Sequence, residues 1–260
     1  MFGINFGGIY LIKQWNIMIP ELNGQQERKG YIYLPGDYND KNTRYPVMYM
    51  LDGQNVFFDD HATFGKSWGM KEYMDDNNKD LIIVAVESNS VGNCRLEEYS
   101  PLDFSVPQIG DIAGRGEVYM NWMVNTLKPY IDNHYRTIPD SAHTAICGSS
   151  MGGLMALYGV CKYNHIFQKA ACLSPSLWIN PEAVLHFLNN AKLSDQSRIY
   201  IDYGSEELAN HPENPKVLYD VYDLLLGVGV EVSFKVIPGG MHNEASWGNQ
   251  IPSFMNFLHL

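Results

Sequence analysis

The feature that most constrains this chain is a repeated alternation of short apolar runs with longer segments of helical periodicity. Seven runs rich in branched and aromatic residues have the length and composition of strands. They cover residues 31–34, 47–51, 81–86, 144–147, 170–173, 198–202 and 230–237. Between most of them, apolar residues recur every three or four positions, as in amphipathic helices. This alternation predicts an α/β fold with a mainly parallel central sheet flanked by helices.

Helical periodicity is clearest over residues 116–135, where Pro129 predicts a kink. Further helices are predicted over residues 151–162, 181–190, 214–226 and 251–260. Residues 9–19, ahead of the first central strand, predict an antiparallel edge strand. Residues 88–115 are rich in Gly, Pro and Ser and lack strong periodicity. They predict a long loop, which in a compact domain usually serves function.

Size and charge restrict the classes of protein that remain. A chain of 260 residues with 45% hydrophobic residues predicts one globular domain, residues 1–260, with a substantial core. The net charge of −11, with no basic cluster, argues against a nucleic-acid partner, because such proteins group Lys and Arg on one face. No apolar run approaches the ~20 residues of a membrane span, so no membrane association is expected.

The first residues and the cysteines bear on location. Residues 1–16 show no basic segment followed by a long apolar run, so we predict a cytoplasmic protein without a signal peptide. A secreted protein whose leader has been cleaved would show the same pattern. Metal-site spacing is absent among the four cysteines, Cys94, Cys147, Cys161 and Cys172. We therefore expect buried thiols, and neither a metal nor a cofactor.

The sequence GSSMG at residues 148–152 fits the pattern G-x-S-x-G with Ser150 at its centre. It lies between the apolar run TAIC and the helix-forming run MGGLMALYGV, which is the strand–turn–helix context that this motif requires. The amide of Met151 would then stand at a helix start, where it can stabilise an oxyanion. A turn that merely joins a strand to a helix is the alternative, and the pentapeptide alone does not decide between them.

A nucleophilic serine needs a base and an acid that follow it in the order Ser, acid, His. Of the eight histidines, His242 alone lies in a glycine-rich loop directly after a late strand, in VIPGGMHNEASW. The acid should follow the strand RIYID, where Asp202, Glu206 and Glu207 compete. Asp202 is still in the strand, whereas Glu206 and Glu207 both lie at the top of the loop. Of the three we favour Glu207. Its carboxylate would accept the Nδ1 hydrogen bond of the base.

A second oxyanion donor is expected in the loop after the strand VMYML, where the sequence is Asp52-Gly53-Gln54-Asn55. Gly53 permits a tight turn, after which the Gln54 amide can face the serine. An Asp-Gly pair is also an ordinary turn. Its coincidence with the other elements favours the functional interpretation.

Six segments together resemble a known family: YIYLPGDY, RYPVMYMLDGQNVF, CGSSMGG, LSPSLW, YGSEE and GGMHNEASW. They are similar, in this order, to the "Putative esterase" family, which is related to esterase D. This family includes feruloyl and acetyl-xylan esterases of carbohydrate esterase family 1, siderophore trilactone esterases of the enterochelin type, and mycolyltransferases. The resemblance extends from about residue 31 to residue 242. It implies an α/β-hydrolase fold without a large cap domain, and a cofactor-free serine esterase.

Carried over by position, the resemblance assigns Ser150 as nucleophile, His242 as base, and the amides of Met151 and Gln54 as the oxyanion hole. Relatives with a GTND-like loop place the acid at its fourth residue, where this chain has Glu207 rather than Asp.

Aromatic residues near the predicted strand ends suggest the kind of substrate. Trp68, Tyr99, Trp178 and Trp247 lie in or beside loops and would form a rim that stacks on sugars or phenolic acyl groups. Packing beside the nucleophile is the alternative for Trp68 and Trp178. In the long loop, Arg95 either attracts an anionic substrate or pairs with a local acid such as Glu97 or Glu98.

These observations predict a serine esterase that acts through an acyl-enzyme on a small-molecule or oligosaccharide ester of acetyl or feruloyl type. A siderophore trilactone hydrolase and an acyltransferase are alternatives of the same fold. A non-catalytic carbohydrate-binding protein is the alternative from a different class. The exposed aromatics would suit a subunit interface as well as a binding cleft, so no oligomeric state is predicted.

Overall fold

The computed structural model of the protein describes residues 11–23, 26–107, 109–210 and 214–260. The strands of this part of the chain, numbered in order, are β1 (Leu11–Met18), β2 (Glu27–Leu34), β3 (Val47–Met50), β4 (Ile82–Val86), β5 (Phe104–Val106), β6 (Gly110–Ile112), β7 (Thr144–Ser149), β8 (Lys169–Leu173), β9 (Arg198–Gly204) and β10 (Glu231–Ile237). The seven predicted strands are all present, and each deviates by a few residues at its ends.

Eight strands form one sheet in the order β1-β2-β4-β3-β7-β8-β9-β10, and β5 and β6 form a separate hairpin. The pairs β1–β2 and β2–β4 are antiparallel, and every pair from β4 to β10 is parallel. The predicted mainly parallel α/β sheet is therefore confirmed. From β3 the chain goes to β4 on one side, whereas β7 and the later strands lie on the other. Such a switch point opens a crevice at the carboxyl ends of the strands.

The helices of the described residues, also numbered in order, are α1 (Pro20–Asn23), α2 (Met70–Asn77), α3 (Cys94–Glu98), α4 (Gly116–Trp122), α5 (Lys128–His134), α6 (Met151–Lys162), α7 (Pro181–Asn189), α8 (Ser205–Asn210), α9 (Asn214–Val228), α10 (Glu244–Gly248) and α11 (Ile251–Phe257). A π-helical segment, Met123–Leu127, joins α4 to α5. Pro129 accounts for this interruption, because it has no N–H to donate to the carbonyl four residues earlier.

Two apolar clusters pack against the two faces of the sheet. One contains buried residues of α4, α5, α6, α7 and α9. The other contains buried residues of α2 and α11, including Met70, Met74 and Phe254. Helix α6 is buried along almost its whole length, which explains why its sequence is apolar all round. This burial fixes the position of its first residue at the crevice.

Several predictions are refined by the structure. Residues 9 and 10 of the predicted edge strand lie outside the described residues, and β1 ends at Met18, one residue before the predicted end. The predicted long loop contains α3 and the β5–β6 hairpin. All four cysteines are free thiols, and all but Cys94 are buried. Within the described ranges, no helix has both the length and the apolar character needed to cross a membrane.

Candidate active site

Ser150 occupies the sharp turn between β7 and α6, with φ 58° and ψ −124°. A residue with a Cβ rarely adopts this conformation, so the turn is strained. Two backbone hydrogen bonds hold it: the Ser150 N–H donates to the Leu173 carbonyl at 2.9 Å, and the Ser176 N–H donates to the Ser150 carbonyl at 3.1 Å. A Cβ on Gly148 would lie 2.5 Å from the Gly152 carbonyl oxygen. The flanking glycines therefore allow the turn to close.

The structure brings Ser150, His242 and Glu207 together in one hydrogen-bonded chain. Ser150 Oγ lies 3.0 Å from His242 Nε2, and His242 Nδ1 lies 2.7 Å from Glu207 Oε2. The His242 side chain is 48% exposed and that of Glu207 only 7%. The three residues follow β7, β10 and β9, whose carboxyl ends share one edge of the sheet. The imidazole thus faces the solvent side of the crevice while the carboxylate behind it is shielded.

Glu207 lies in the short helix α8 rather than in a loop, and both oxygens of its carboxylate are hydrogen-bonded. Its Oε1 accepts hydrogen bonds from Ser174 Oγ at 2.7 Å and from the Gly204 N–H at 2.9 Å. Burial acts to raise the pKa of Glu207, but the hydrogen bonds from His242, Ser174 and Gly204 outweigh it and leave the pKa below its ordinary value. The ionised carboxylate favours the tautomer with the proton on Nδ1.

Two glycines bring Glu207 and His242 into reach of each other. At the end of β9, a Cβ on Gly204 would lie 2.1 Å from the Gly240 carbonyl oxygen. The Glu206 N–H also donates to that carbonyl at 3.1 Å. The loop that precedes His242 can therefore pass directly over the strand that precedes Glu207.

The competing acids occupy different surroundings. Asp202 is 1% exposed within the sheet, and burial raises its pKa to about 7. The side chain of Glu206 is exposed. The acceptor for His242 Nδ1 is Glu207. In the described part of the chain, no group of three or more His, Cys, Asp or Glu side chains is arranged to hold a metal ion.

The two predicted oxyanion donors lie at the ends of adjacent strands. Met151 is the first residue of α6, where the helix itself offers its N–H no acceptor. Gln54 lies in a single 3₁₀ turn, Gly53–Asn55, directly after β3. Beside them, the Leu51 N–H donates to the Cys147 carbonyl at 2.9 Å and joins the two strand ends. Both amides therefore lie at the sheet edge that carries Ser150.

An ion pair that the sequence did not reveal holds the turn before Gln54. Asp52 has a left-handed backbone, φ 54°, and is 4% exposed. Its carboxylate accepts two hydrogen bonds of 2.7 Å from Arg95, one from Nε and one from Nη2. Arg95 thus pairs with an acid 43 residues away rather than with the neighbouring Glu97 or Glu98. This bidentate pair fixes the direction in which the chain leaves β3.

The prediction that Tyr99 forms part of the substrate rim is wrong. Tyr99 is 0% exposed, because the segment that contains it folds back onto the core after α3. Its hydroxyl accepts a hydrogen bond of 3.0 Å from the Asp52 N–H. Trp178, by contrast, is 48% exposed, on the turn that follows Ser176. Ser176 Oγ lies 3.5 Å from Ser150 Oγ, and Trp178 follows Ser176 by two residues.

Trp68 and Trp247 are each only 6% exposed and therefore present little surface to a substrate. Their ring centroids are 6.2 Å apart. Trp247 Nε1 donates to Ser174 Oγ at 2.9 Å, and its ring meets the His242 ring edge-on at 5.0 Å. Trp247 therefore contacts His242 directly and Glu207 through Ser174.

The mainly parallel sheet, with Ser150 at a strand–helix turn, has the architecture of the α/β-hydrolase fold. Residues 22–257 match the model of the family described as "Putative esterase". The chain belongs to this family, which makes it a carboxylic ester hydrolase.

Three similar proteins illustrate the range of the resemblance. The chain is 26% identical over 189 residues to the siderophore triacetylfusarinine C esterase of Aspergillus fumigatus, over 68% of this chain and 62% of that protein. It is 25% identical over 222 residues to the ferri-bacillibactin esterase BesA of Bacillus subtilis, over 76% and 73% of the two chains. The structure of a ferulic acid esterase superimposes with a TM-score of 0.69 at 19% identity, over 96% and 97% of the two chains.

Proposed function

We propose that the protein is a serine esterase that hydrolyses a small carboxylic ester through an acyl-enzyme on Ser150. The observation that carries this proposal is the hydrogen-bonded chain from Ser150 Oγ through His242 to Glu207, with distances of 3.0 Å and 2.7 Å, at a strained strand–helix turn. This geometry supports the roles of Ser150 as nucleophile, His242 as base and Glu207 as orienting acid.

In the proposed reaction, Ser150 Oγ attacks the ester carbonyl while His242 Nε2 takes its proton. The amides of Met151 and Gln54 stabilise the oxyanion, a contribution typically worth ~10²–10³ in kcat for one donor. Glu207 stabilises the imidazolium, which then protonates the departing alcohol. A water molecule, deprotonated by the same base, attacks the acyl-enzyme and releases the acid with Ser150 restored.

For the substrate, we propose an acetyl or feruloyl ester linked to a carbohydrate. The exposed indole of Trp178 supports this choice, because a flat aromatic surface suits stacking on a sugar or a phenolic ring. Trp178 follows by two residues Ser176, whose Oγ lies 3.5 Å from Ser150 Oγ. The similarity in fold to a ferulic acid esterase is consistent with this choice of substrate. A siderophore lactone is the second candidate, favoured by the two relatives whose names are those of siderophore esterases.

The first experiment tests the chemistry. We expect the wild type to hydrolyse p-nitrophenyl esters and to be labelled by a serine-directed phosphonate. The folded Ser150→Ala variant should do neither, and Ser149→Ala, which alters the adjacent serine, should retain both activities. Phosphonate labelling of Ser150→Ala, or a wild type that hydrolyses no ester, would contradict the proposal.

The second experiment separates the substrates. Methyl ferulate, an acetylated xylo-oligosaccharide and a catecholate trilactone, with and without iron, are compared by kcat/KM. We expect Trp178→Ala to raise KM for the preferred aromatic or sugar ester while kcat for p-nitrophenyl acetate is retained. Tyr219→Ala is the matched control, because Tyr219 is a 57% exposed aromatic residue on α9. Preference for the trilactone would favour the second candidate. Partitioning of the acyl group to an added alcohol would instead indicate acyl transfer.

A further inference from the structure

A buried side-chain hydrogen bond joins the helix that follows the proposed base to the loop that supplies the second oxyanion amide. Asn55 Nδ2 donates to Glu244 Oε1 at 3.1 Å, between residues 189 positions apart in the chain. Glu244 is 5% exposed and Asn55 is 8% exposed. Neither side chain takes part in the proposed reaction, so the reason for burying a carboxyl here lies elsewhere.

Glu244 is tied closely to His242. It is the first residue of α10 and lies only two positions after the base. The preceding residue, Asn243, caps this helix, since its Oδ1 accepts a hydrogen bond of 2.9 Å from the Ser246 N–H. The carboxyl of Glu244 therefore has a fixed place relative to the loop that carries the imidazole.

Asn55 is tied equally closely to Gln54. Its N–H donates to the Asp52 carbonyl at 2.8 Å, and its own carbonyl accepts from the Trp68 N–H at 2.8 Å. Its side-chain Oδ1 accepts from the Thr63 N–H at 2.9 Å, which leaves Nδ2 directed at Glu244. Both ends of the Asn55 amide are thus engaged, and its orientation follows from its partners.

Burying the carboxyl of Glu244 is unfavourable in itself. Burial raises the pKa of Glu244, and the neighbouring Asp52 acts in the same direction, whereas Arg95 and His242 lower it. A buried carboxyl is unfavourable unless it is hydrogen-bonded, and an apolar side chain would avoid the cost. Such a side chain would leave the amide of Asn55 without its acceptor.

We propose that Glu244 is a positioning residue that, through Asn55, holds the Gln54 amide in register with His242. The base and the oxyanion hole are then placed by one connection rather than by two independent loops. This inference rests on the proposed esterase function. The required accuracy is high, because a misplacement of about 1 Å can cost ~10²-fold in rate.

The test is a double-mutant cycle on Glu244→Ala and Asn55→Ala, measured with p-nitrophenyl esters. Each single variant should lower kcat about 10-fold or more with KM nearly unchanged, because the displaced amide acts mainly in the transition state. The double variant should be no slower than the slower single variant, within about twofold. Glu244→Gln keeps an oxygen that accepts from Asn55, so its kcat should remain within about threefold of wild type.

Asn164→Ala is the matched control. Asn164 is also 8% exposed, and its Nδ2 donates to Ser197 Oγ at 2.9 Å, beyond the far end of α6. We expect this variant to melt at a lower temperature with kcat unchanged, so a loss of kcat specific to the Glu244–Asn55 pair is not explained by general destabilisation.

Amide hydrogen exchange separates this inference from the proposed function. Faster exchange of residues 53–56 in both Glu244→Ala and Asn55→Ala than in the wild type supports the anchoring, even if the wild type hydrolyses no ester and the proposed function fails. Three results would overturn the inference: unchanged exchange in this segment, additive losses in the cycle, or a Glu244→Gln variant as slow as Glu244→Ala.

Discussion

Replacement of Glu207 by Gln is the sharpest test of the proposed catalytic chain, because the structure dictates how the new amide must lie. The Oε1 position accepts hydrogen bonds from Ser174 Oγ and from the Gly204 N–H. An NH₂ group at this position would face the backbone donor, which cannot reorient. The glutamine oxygen should therefore remain there and direct its NH₂ group toward His242 Nδ1, 2.7 Å from the position of Oε2.

This orientation reverses the tautomer of the base. With a donor facing it, Nδ1 must act as acceptor, so the neutral imidazole carries its proton on Nε2 and cannot take a proton from Ser150. The corresponding acid-to-amide change in a serine protease triad lowers kcat by ~10⁴. For Glu207→Gln we expect kcat to fall by a factor of ~10³–10⁴, equivalent to about 4–5.5 kcal/mol of transition-state stabilisation.

The assay is kcat/KM for p-nitrophenyl acetate between pH 6 and 9, with near-ultraviolet circular dichroism as the check on folding. Glu206→Gln, which makes the same change one residue earlier on an exposed side chain, is the control and should stay within about threefold of wild type. A folded Glu207→Gln variant that retains more than about a tenth of wild-type kcat would refute the argument from tautomers.

Three further predictions concern stability. In the folded state the pKa of Asp202 is raised to about 7, above an unfolded value of about 3.9. Asp202 therefore makes the free energy of unfolding fall as the pH rises from about 4 to 7. The Asp202→Asn variant should lack this decline when stability is measured by urea titration. Arg95→Met should lower the free energy of unfolding by about 2 kcal/mol, because Asp52 remains buried without its partner. Solvent screening of the 31% exposed arginine side chain keeps this loss below that of a fully buried ion pair. An equal loss of stability on Arg95→Met in an Asp52→Asn background would contradict this. Gly148→Ala should cost about 3 kcal/mol, since its Cβ meets the Gly152 carbonyl at 2.5 Å; a melting temperature within about 2 °C of wild type would count against the clash.

The elements that sequence predicts well are those specified locally. The turn at Ser150 needs small neighbours and a strand–helix context, and all of these lie within a few residues of it. His242 could be singled out because the glycine-rich loop that contains it begins where the last strand ends. The π-helical segment before Pro129 follows from the same local logic, although the sequence suggested only a kink.

The features that sequence missed depend on segments far apart in the chain. The Asp52–Arg95 pair spans 43 residues and the Asn55–Glu244 contact spans 189. Neither spacing has a recognisable pattern, because each contact arises only when the sheet brings different loops to one edge. Tyr99 was misplaced for the same reason: its segment lacks periodicity, and its burial depends on packing against the turn after β3.

The placement of Ser150, Glu207 and His242 at the ends of parallel strands has a consequence for divergence. Ser150 and His242 are 92 residues apart in sequence, and Glu207 and His242 are 35 residues apart. The sheet sets the distances between the three side chains, whereas the crossing segments that connect the strands form the helices and loops on either side of the sheet. Insertions and deletions in those crossings can reshape the approach to Ser150 while the three side chains keep their positions. Evolution can therefore change which molecules reach Ser150 without changing the arrangement of Ser150, Glu207 and His242.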